Sequence, residues 1–232
     1  MAYTPTVWKN GEFPPIDAEH LNKIEQGIAN SAPGGYGLGE AGGQILSATD
    51  DLDTVTKNGV YQWGDYLPKN APTRYCKMRV WNGGGWASQE VMSAYANEKD
   101  SIRRRVSSND VWGPFEWVNP PMELGVEYRT TERYLGKPVY TKVVEGSFSG
   151  AGVTNINHGI ANIDKCVAAT GIALQKDSSY NFSFPYWLTN GSTLTQGLSV
   201  SINTSSIALN SVTNYAETFS VQVTIKYTKT TD

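Results

Sequence analysis

"FSVQVTIKYTK", residues 219–229, alternates apolar and polar side chains without a break. Phe219, Val221, Val223, Ile225 and Tyr227 fall on one side, and Ser220, Gln222, Thr224, Lys226 and Thr228 on the other. A period of two puts successive side chains on opposite faces, so this stretch reads as a strand with one buried face in an antiparallel sheet. Upstream, "LGKPVYTKVV" (135–144) opens a similar run, with Val139, Thr141 and Val143 alternating with Tyr140, Lys142 and Val144. "KCVAATGIAL" (165–174), "SYNFSFPYWL" (179–188) and "LSVSINTSSIAL" (198–209) follow, each bounded by turn residues. No long helical pattern interrupts them. Short strands at this spacing predict an antiparallel β-sandwich over residues 138–232.

Residues 44–120 form a second β region, dense in aromatics. "TVTKNGVYQW" (54–63) is a turn at Asn58-Gly59 feeding a strand. In "RYCKMRVW" (74–81), Tyr75, Lys77 and Arg79 face one way and Cys76, Met78 and Val80 the other. "NGGGW" (82–86) turns the chain, "WASQEVMSAY" (86–95) returns it, and "DVWGPFEWV" (110–118) closes the unit with a short strand. These signals predict a small antiparallel domain. Between the two β regions, the Pro120-Pro121 break and polar sequence predict a linker over 121–137.

The amino-terminal 43 residues differ in texture. Asp17 suits an N-cap, and Ile16 and Leu21 can close a hydrophobic staple around it. Leu21, Ile24 and Ile28 then recur at the a/d spacing of a coiled-coil seam. A helix this short is marginal alone, so its stripe must be covered by other protein. Residues 1–30 therefore read as an attachment segment with a short helix, and residues 31–43, with Gly34-Gly35 and Gly42-Gly43, as a glycine-rich linker. The fold class expected is mainly β: a short amino-terminal helix in a trimeric coiled-coil-like seam, a small antiparallel domain, and a carboxy-terminal antiparallel β-sandwich.

Composition narrows the function. A net charge of -3 gives no electrostatic case for nucleic acid, and Arg103-Arg104-Arg105, the one basic run, reads as a solvated face. No apolar stretch approaches the ~20 residues needed to span a bilayer, so membrane insertion is not expected. Pro5, Lys9 and Asn10 interrupt any signal-peptide core, so the expected route outward is lysis or incorporation in a particle. Cys76 and Cys166 lie far apart with no Cys/His cluster near either, and read as buried free thiols, not a disulfide or metal site. His158 in "NINHGIANID" lacks a nucleophile motif and reads as a packing residue. No pair of carboxylates is marked for glycoside hydrolysis, and no long repeat suggests a catalytic β-helix. No catalytic residue, metal or cofactor is expected, and a polysaccharide depolymerase is the weakest reading.

Several strings resemble known families. "DLDTVTKNGVYQW", "WASQEVM", "RRR" and "DVWGPFEWV" together resemble the knob domain of phage tail fibres and of tailocins such as pyocins. The matching positions are Leu52, Asp53, Gly59, Tyr61, Gln89, Arg103 or Arg104, Trp112, Phe115 and Trp117. "WKNGEFPPIDAEHLNKIEQGI" (8–28) resembles the amino-terminal ends of phage fibres from Gram-positive hosts. "EYRTTERYLGKPVYTKVV", "HGIANIDKCVAATGIA" and "VTIKYTKTTD" resemble carboxy-terminal sandwich tips of such fibres. The resemblance implies a homotrimeric receptor-binding fibre of a virion or tailocin. Its amino terminus would join the baseplate or other tail proteins, and its tip would bind bacterial surface polysaccharide. A structural fibre or adaptor without receptor contact is the alternative.

Within the tip, "SSYNFSFPYWLTNGSTL" (178–194) combines aromatic rings with amides and hydroxyls, as sugar recognition requires. Tyr180, Tyr186, Trp187 and Asn190 are the candidate glycan contacts, with Phe182 and Phe184 able to alternate into the core instead.

Overall fold

The computed structural model describes residues 19, 21–24, 43–95, 100–175, 181–190, 193–212 and 218–232. It is mainly β, as the alternation predicts, and divides into two compact units, residues 1–115 and 116–232. The boundary lies slightly before the expected residue 120. Of the amino-terminal helix, Glu19 and Leu21 to Ile24 are helical, with Leu21 exposed and Ile24 partly buried. Ile28 lies outside the described residues.

The first unit is built on strands β1 (Gln44–Ile45), β2 (Gly59–Trp63), β3 (Cys76–Asn82), β4 (Trp86–Ser93), β5 (Ile102–Ser108) and β6 (Val111–Trp112). They pair in sequence order, with β1 parallel to β2 and the remaining ladders antiparallel. Cys76, Met78 and Val80 turn inward, joining Leu46, Leu52, Tyr61, Trp63 and Val91 in one core. A 3-10 turn, Leu52–Thr54, follows Asp51, whose side chain accepts from the Asp53 amide. Its Leu52 is fully buried. Tyr61 and Trp63 satisfy their polar ends inside the unit, donating to the Lys57 carbonyl at 2.8 Å and the Thr73 carbonyl at 2.7 Å.

The second unit is a sandwich. One sheet runs in the order β7 (Glu116–Trp117), β8 (Glu127–Tyr134), β9 (Lys137–Phe148), β16 (Phe219–Lys229), β11 (Ile163–Gln175), β12 (Asn181–Phe184). The other runs β10 (Gly152–Asn157), β15 (Ser206–Ser211), β14 (Thr193–Ile202), β13 (Tyr186–Asn190). Phe219, Val221, Val223, Ile225 and Tyr227 of β16 are at most 3% exposed and form the floor of the core. Ile156, Leu198, Ile207 and Leu209 from the second sheet close over them. Burying each such side chain contributes roughly 1.5–3 kcal/mol over leaving it exposed. Two glycines admit this packing: a side chain at Gly146 would collide with Ile156, and one at Gly171 with the Phe184 ring.

Three expectations change. The segment 121–137, expected as a linker, carries β8, in which Tyr128 and Thr130 are buried. Its charges are used in pairing: buried Glu116 accepts from Arg129 at 2.9 Å and from Arg133 at 2.6 Å, and Arg129 also reaches Asp232 at 2.6 Å. Trp117, assigned to the first β region by its motif, belongs to the second unit, edge-on to Tyr128. Cys166 is exposed rather than buried, because the β11–β16 ladder slips on both sides of it and strict alternation fails there.

Candidate functional site

Five of the positions that carry the knob resemblance, Leu52, Asp53, Gln89, Trp112 and Phe115, converge in the first unit. Gln89, on the central strand β4, is fully buried. Its amide donates to the carbonyls of Leu52 at 2.7 Å and Val55 at 3.0 Å, pinning the 3-10 turn against the sheet. Its carbonyl oxygen accepts from Arg105 Nε at 2.8 Å. Arg105 extends to Asp53 at 2.7 Å and lies against the rings of Trp112 and Phe115, 4.6 and 4.5 Å from their centroids. Trp112 Nε1 completes the circuit by donating to the Asp53 carbonyl at 2.9 Å. Arg105 Nη2 is buried with no hydrogen-bond partner among the described residues. Burial pushes the Arg105 guanidinium down from its usual value, and the Asp53 carboxylate opposes that shift.

The arginine in this network is Arg105, not Arg103 or Arg104. The basic run is also not a solvated face: Arg103 and Arg105 are buried, and only Arg104 is exposed. The reason is strand parity. Gln89 stands opposite Arg105 and Val91 opposite Arg103, so both arginines share the inward face of β4. The outward positions Ile102 and Val106 are apolar, which is what misleads a reading of β5 by hydrophobicity. Parity counted from the motif glutamine would have removed Arg104.

In the second unit, Tyr186, Trp187 and Asn190 lie together on β13, last in the order of its sheet. Their backbones pair with Leu198, Gly197 and Thr193 of β14. Their side chains are not described, and Tyr180 lies outside the described residues. Phe184 does turn into the core, at 3% exposure. His158 is buried, with Nδ1 accepting from the Ile160 amide at 3.0 Å and Nε2 3.2 Å from the Asn203 carbonyl. These bonds assign it a neutral packing role with the proton on Nε2. Among the described residues, no group of three or more His, Cys, Asp or Glu is placed to hold a metal ion, and no helix is long and apolar enough to cross a membrane.

No family model and no curated protein matches the chain. Among solved structures it is similar to an amino-terminally truncated R2-type pyocin tail fibre, at 11% identity over 78% of this chain and 96% of that chain, with a TM-score of 0.28. The carboxy-terminal part of the P. aeruginosa R2 pyocin fibre gives 10% identity, 78% and 65% coverage and a TM-score of 0.28. The corresponding part of the P. aeruginosa R1 fibre gives 8%, 78% and 66%, and 0.27. Scores this low do not establish a shared fold.

Proposed function

We propose that the chain is a non-enzymatic receptor-binding fibre protein of a phage, prophage or tailocin, attaching its particle to polysaccharide on a bacterial surface. One observation carries the reading. Leu52, Asp53, Gln89, Trp112 and Phe115, scattered through the knob-like motif, belong to one contact network with Arg105, buried at Leu52, Gln89 and Arg105 and open to solvent at Asp53. Those motif positions are therefore coupled by packing, as a shared domain type requires. In this reading three chains associate through Leu21, Ile24 and Ile28, the amino terminus joins the baseplate or other tail proteins, and the sandwich is the tip. Tyr180, Tyr186, Trp187 and Asn190 contact the glycan.

Stacking rather than ion pairing is the expected source of affinity at the tip. Lys226, Lys229, Asp164 and Asp232 already pair within the second unit, with Glu132, Glu127, Lys137 and Arg129. Affinity per site is then weak, with three tips raising avidity by about 100-fold or more.

The test is binding of the labelled full chain to a panel of Gram-positive and Gram-negative cells, before and after their surface polysaccharide is stripped, at low and high salt. Binding that disappears with the polysaccharide and survives salt is the expected result. Trp187→Ala should reduce it in a protein that is still folded. Binding indifferent to stripping would reject a glycan receptor, and no binding to any strain would favour a structural adaptor. That second reading draws on the first unit, whose sheet leaves Trp81, Met92 and Val106 exposed on one face.

A further inference from the structure

The first unit contains a shallow cleft of about 80 Å³ at the amino-terminal end of β4, bordered by Asp53, Thr56, Asn82, Trp86, Asp110 and Trp112. Trp86 is the unusual member. It follows the turn Asn82-Gly83-Gly84-Gly85 and is 54% exposed, with its ring lying against that turn. A Cβ on Gly83 would stand 3.2 Å from three atoms of the Trp86 indole, so the ring lies closely over this glycine and would have to give by a few tenths of an ångström for alanine. The turn beneath it is braced in turn. Asn82 Nδ2 donates to the Thr56 carbonyl at 3.0 Å, Asn82 Oδ1 accepts from the Gly84 amide at 3.1 Å, and the Asn58 amide donates to the Asn82 carbonyl at 3.2 Å. Trp112 is fixed by its bond to the Asp53 carbonyl and by Arg105 against its face. Asp110 sits at the lip in a left-handed conformation, φ 59°, and its carboxylate has no partner among the described residues. The cleft therefore offers one fixed indole, Trp112, and one exposed indole, Trp86, beside an uncommitted carboxylate, with hydroxyls and an amide around them.

We propose that this cleft is a binding site for a neutral sugar ring, distinct from the contact expected on the tip. The chemistry selects that class. A pyranose has an apolar C–H face that stacks on an indole and vicinal hydroxyls that donate to a carboxylate. Asp110 repels uronic acids and other anionic sugars, the Asp53 charge being already paired with Arg105. The cleft is smaller than a sugar ring, so it seats one face and leaves the rest in solvent, which sets the affinity per site in the millimolar range. The site does not depend on the tip reading, because no residue of the second unit takes part.

The experiment uses the full chain labelled with fluorotryptophan, with resonances assigned through single Trp→Phe variants. The probes are methyl β-glucoside, methyl β-galactoside and N-acetylglucosamine, with glucuronic acid as the charged counterpart. A saturable shift at Trp86 and Trp112 with at least one neutral sugar, absent with glucuronic acid and retained in Trp187→Ala, is the expected result. Asp110→Asn should weaken that binding about tenfold, as loss of a charged acceptor does. Gly83→Ala, which moves the ring but leaves the core intact, should weaken it as well. No saturable shift with any neutral sugar, an equal response to glucuronic acid, or unchanged affinity in Asp110→Asn overturns the proposal. So does a Trp86 resonance that moves with protein concentration alone, which would make this face a contact between chains.

Discussion

Gln89 faces Arg105 across the β4–β5 ladder, and the guanidinium Nε donates to the glutamine carbonyl oxygen at 2.8 Å. The pair joins a buried amide that holds the 3-10 turn to a buried charge that holds two aromatic rings. Gln89→Leu keeps the volume but leaves the Val55 carbonyl and Arg105 Nε without partners, and takes from the Leu52 carbonyl one of its two, the Val55 amide remaining. It should cost about 3–5 kcal/mol. Arg105→Met removes the buried charge itself, while Asp53, whose side chain is 42% exposed, can turn to water. That change should cost less, about 1–3 kcal/mol. Denaturant unfolding of the two variants checks the order, and equal losses would show that the two residues do not form such a unit.

Gly171 and Gly84 are both glycines for different reasons, and alanine separates them. A Cβ at Gly171 would lie 2.2 Å from the Phe184 ring and 2.6 Å from the Gln222 carbonyl oxygen. That oxygen belongs to the β11–β16 ladder, so relief requires moving a central strand. Gly171→Ala should cost about 3 kcal/mol or more. Gly84 has open space around it but a φ of +76°, so Gly84→Ala should cost only about 1 kcal/mol of backbone strain. Melting temperatures in which Gly84→Ala is the worse variant would contradict this account of the sandwich core.

Two groups give the stability a pH dependence with opposite signs. Lys69, 2.7 Å away, together with the Asp53 amide, lowers the Asp51 carboxyl from 3.8 to about 2. Between those values the unfolded chain binds the extra proton, so this contribution is complete above pH 3.8 and fades as pH falls toward 2. Tyr227 is the reverse case. Burial, and then its hydrogen bond to Glu127, raise its phenol above the ordinary 10.0, so its contribution fades as pH rises past that value. Asp51→Asn should flatten the acid limb of a melting-temperature profile, and Tyr227→Phe the alkaline limb. A profile unchanged by both substitutions would contradict the assignment.

Where side chains alternate between core and water, the sequence is a good guide to the fold. β16 and β3 are legible because apolar residues at every second position have only one stable orientation. β5 is not, because Arg103, Arg105 and Ser107 face inward while Ile102 and Val106 face outward. Long-range partners explain that inversion at Arg105, through Gln89 and Asp53, and at Ser107, through the Ala87 backbone, and no local pattern contains them. β8 is hidden for a related reason: "EYRTTERY" spends its arginines on Glu116 and Asp232 and its glutamates on Lys229 and Lys226. Gln89 was legible through its motif and Arg105 was not, since a run of three arginines gives no parity by itself. The edge position of β13 follows from sheet order, which strand signals do not specify.

The last prediction concerns association. Leu21 is 50% exposed in the single chain, and a helix as short as the sequence predicts here would not persist unaided. A seam through Leu21, Ile24 and Ile28 would cover that surface in three copies, so the full chain should sediment at about three times 25.4 kDa. Ile24→Asp places a charge in the seam, where it cannot be hydrated or paired. It should shift the chain toward monomer at micromolar concentration while leaving the unfolding of both β units unchanged, since neither uses Ile24 in its core. A monomeric wild-type chain would remove both the seam and the trimeric fibre. A trimer that persists in Ile24→Asp would instead place the association in the β units, where the exposed Trp81, Met92 and Val106 face of the first unit is the surface to mutate next.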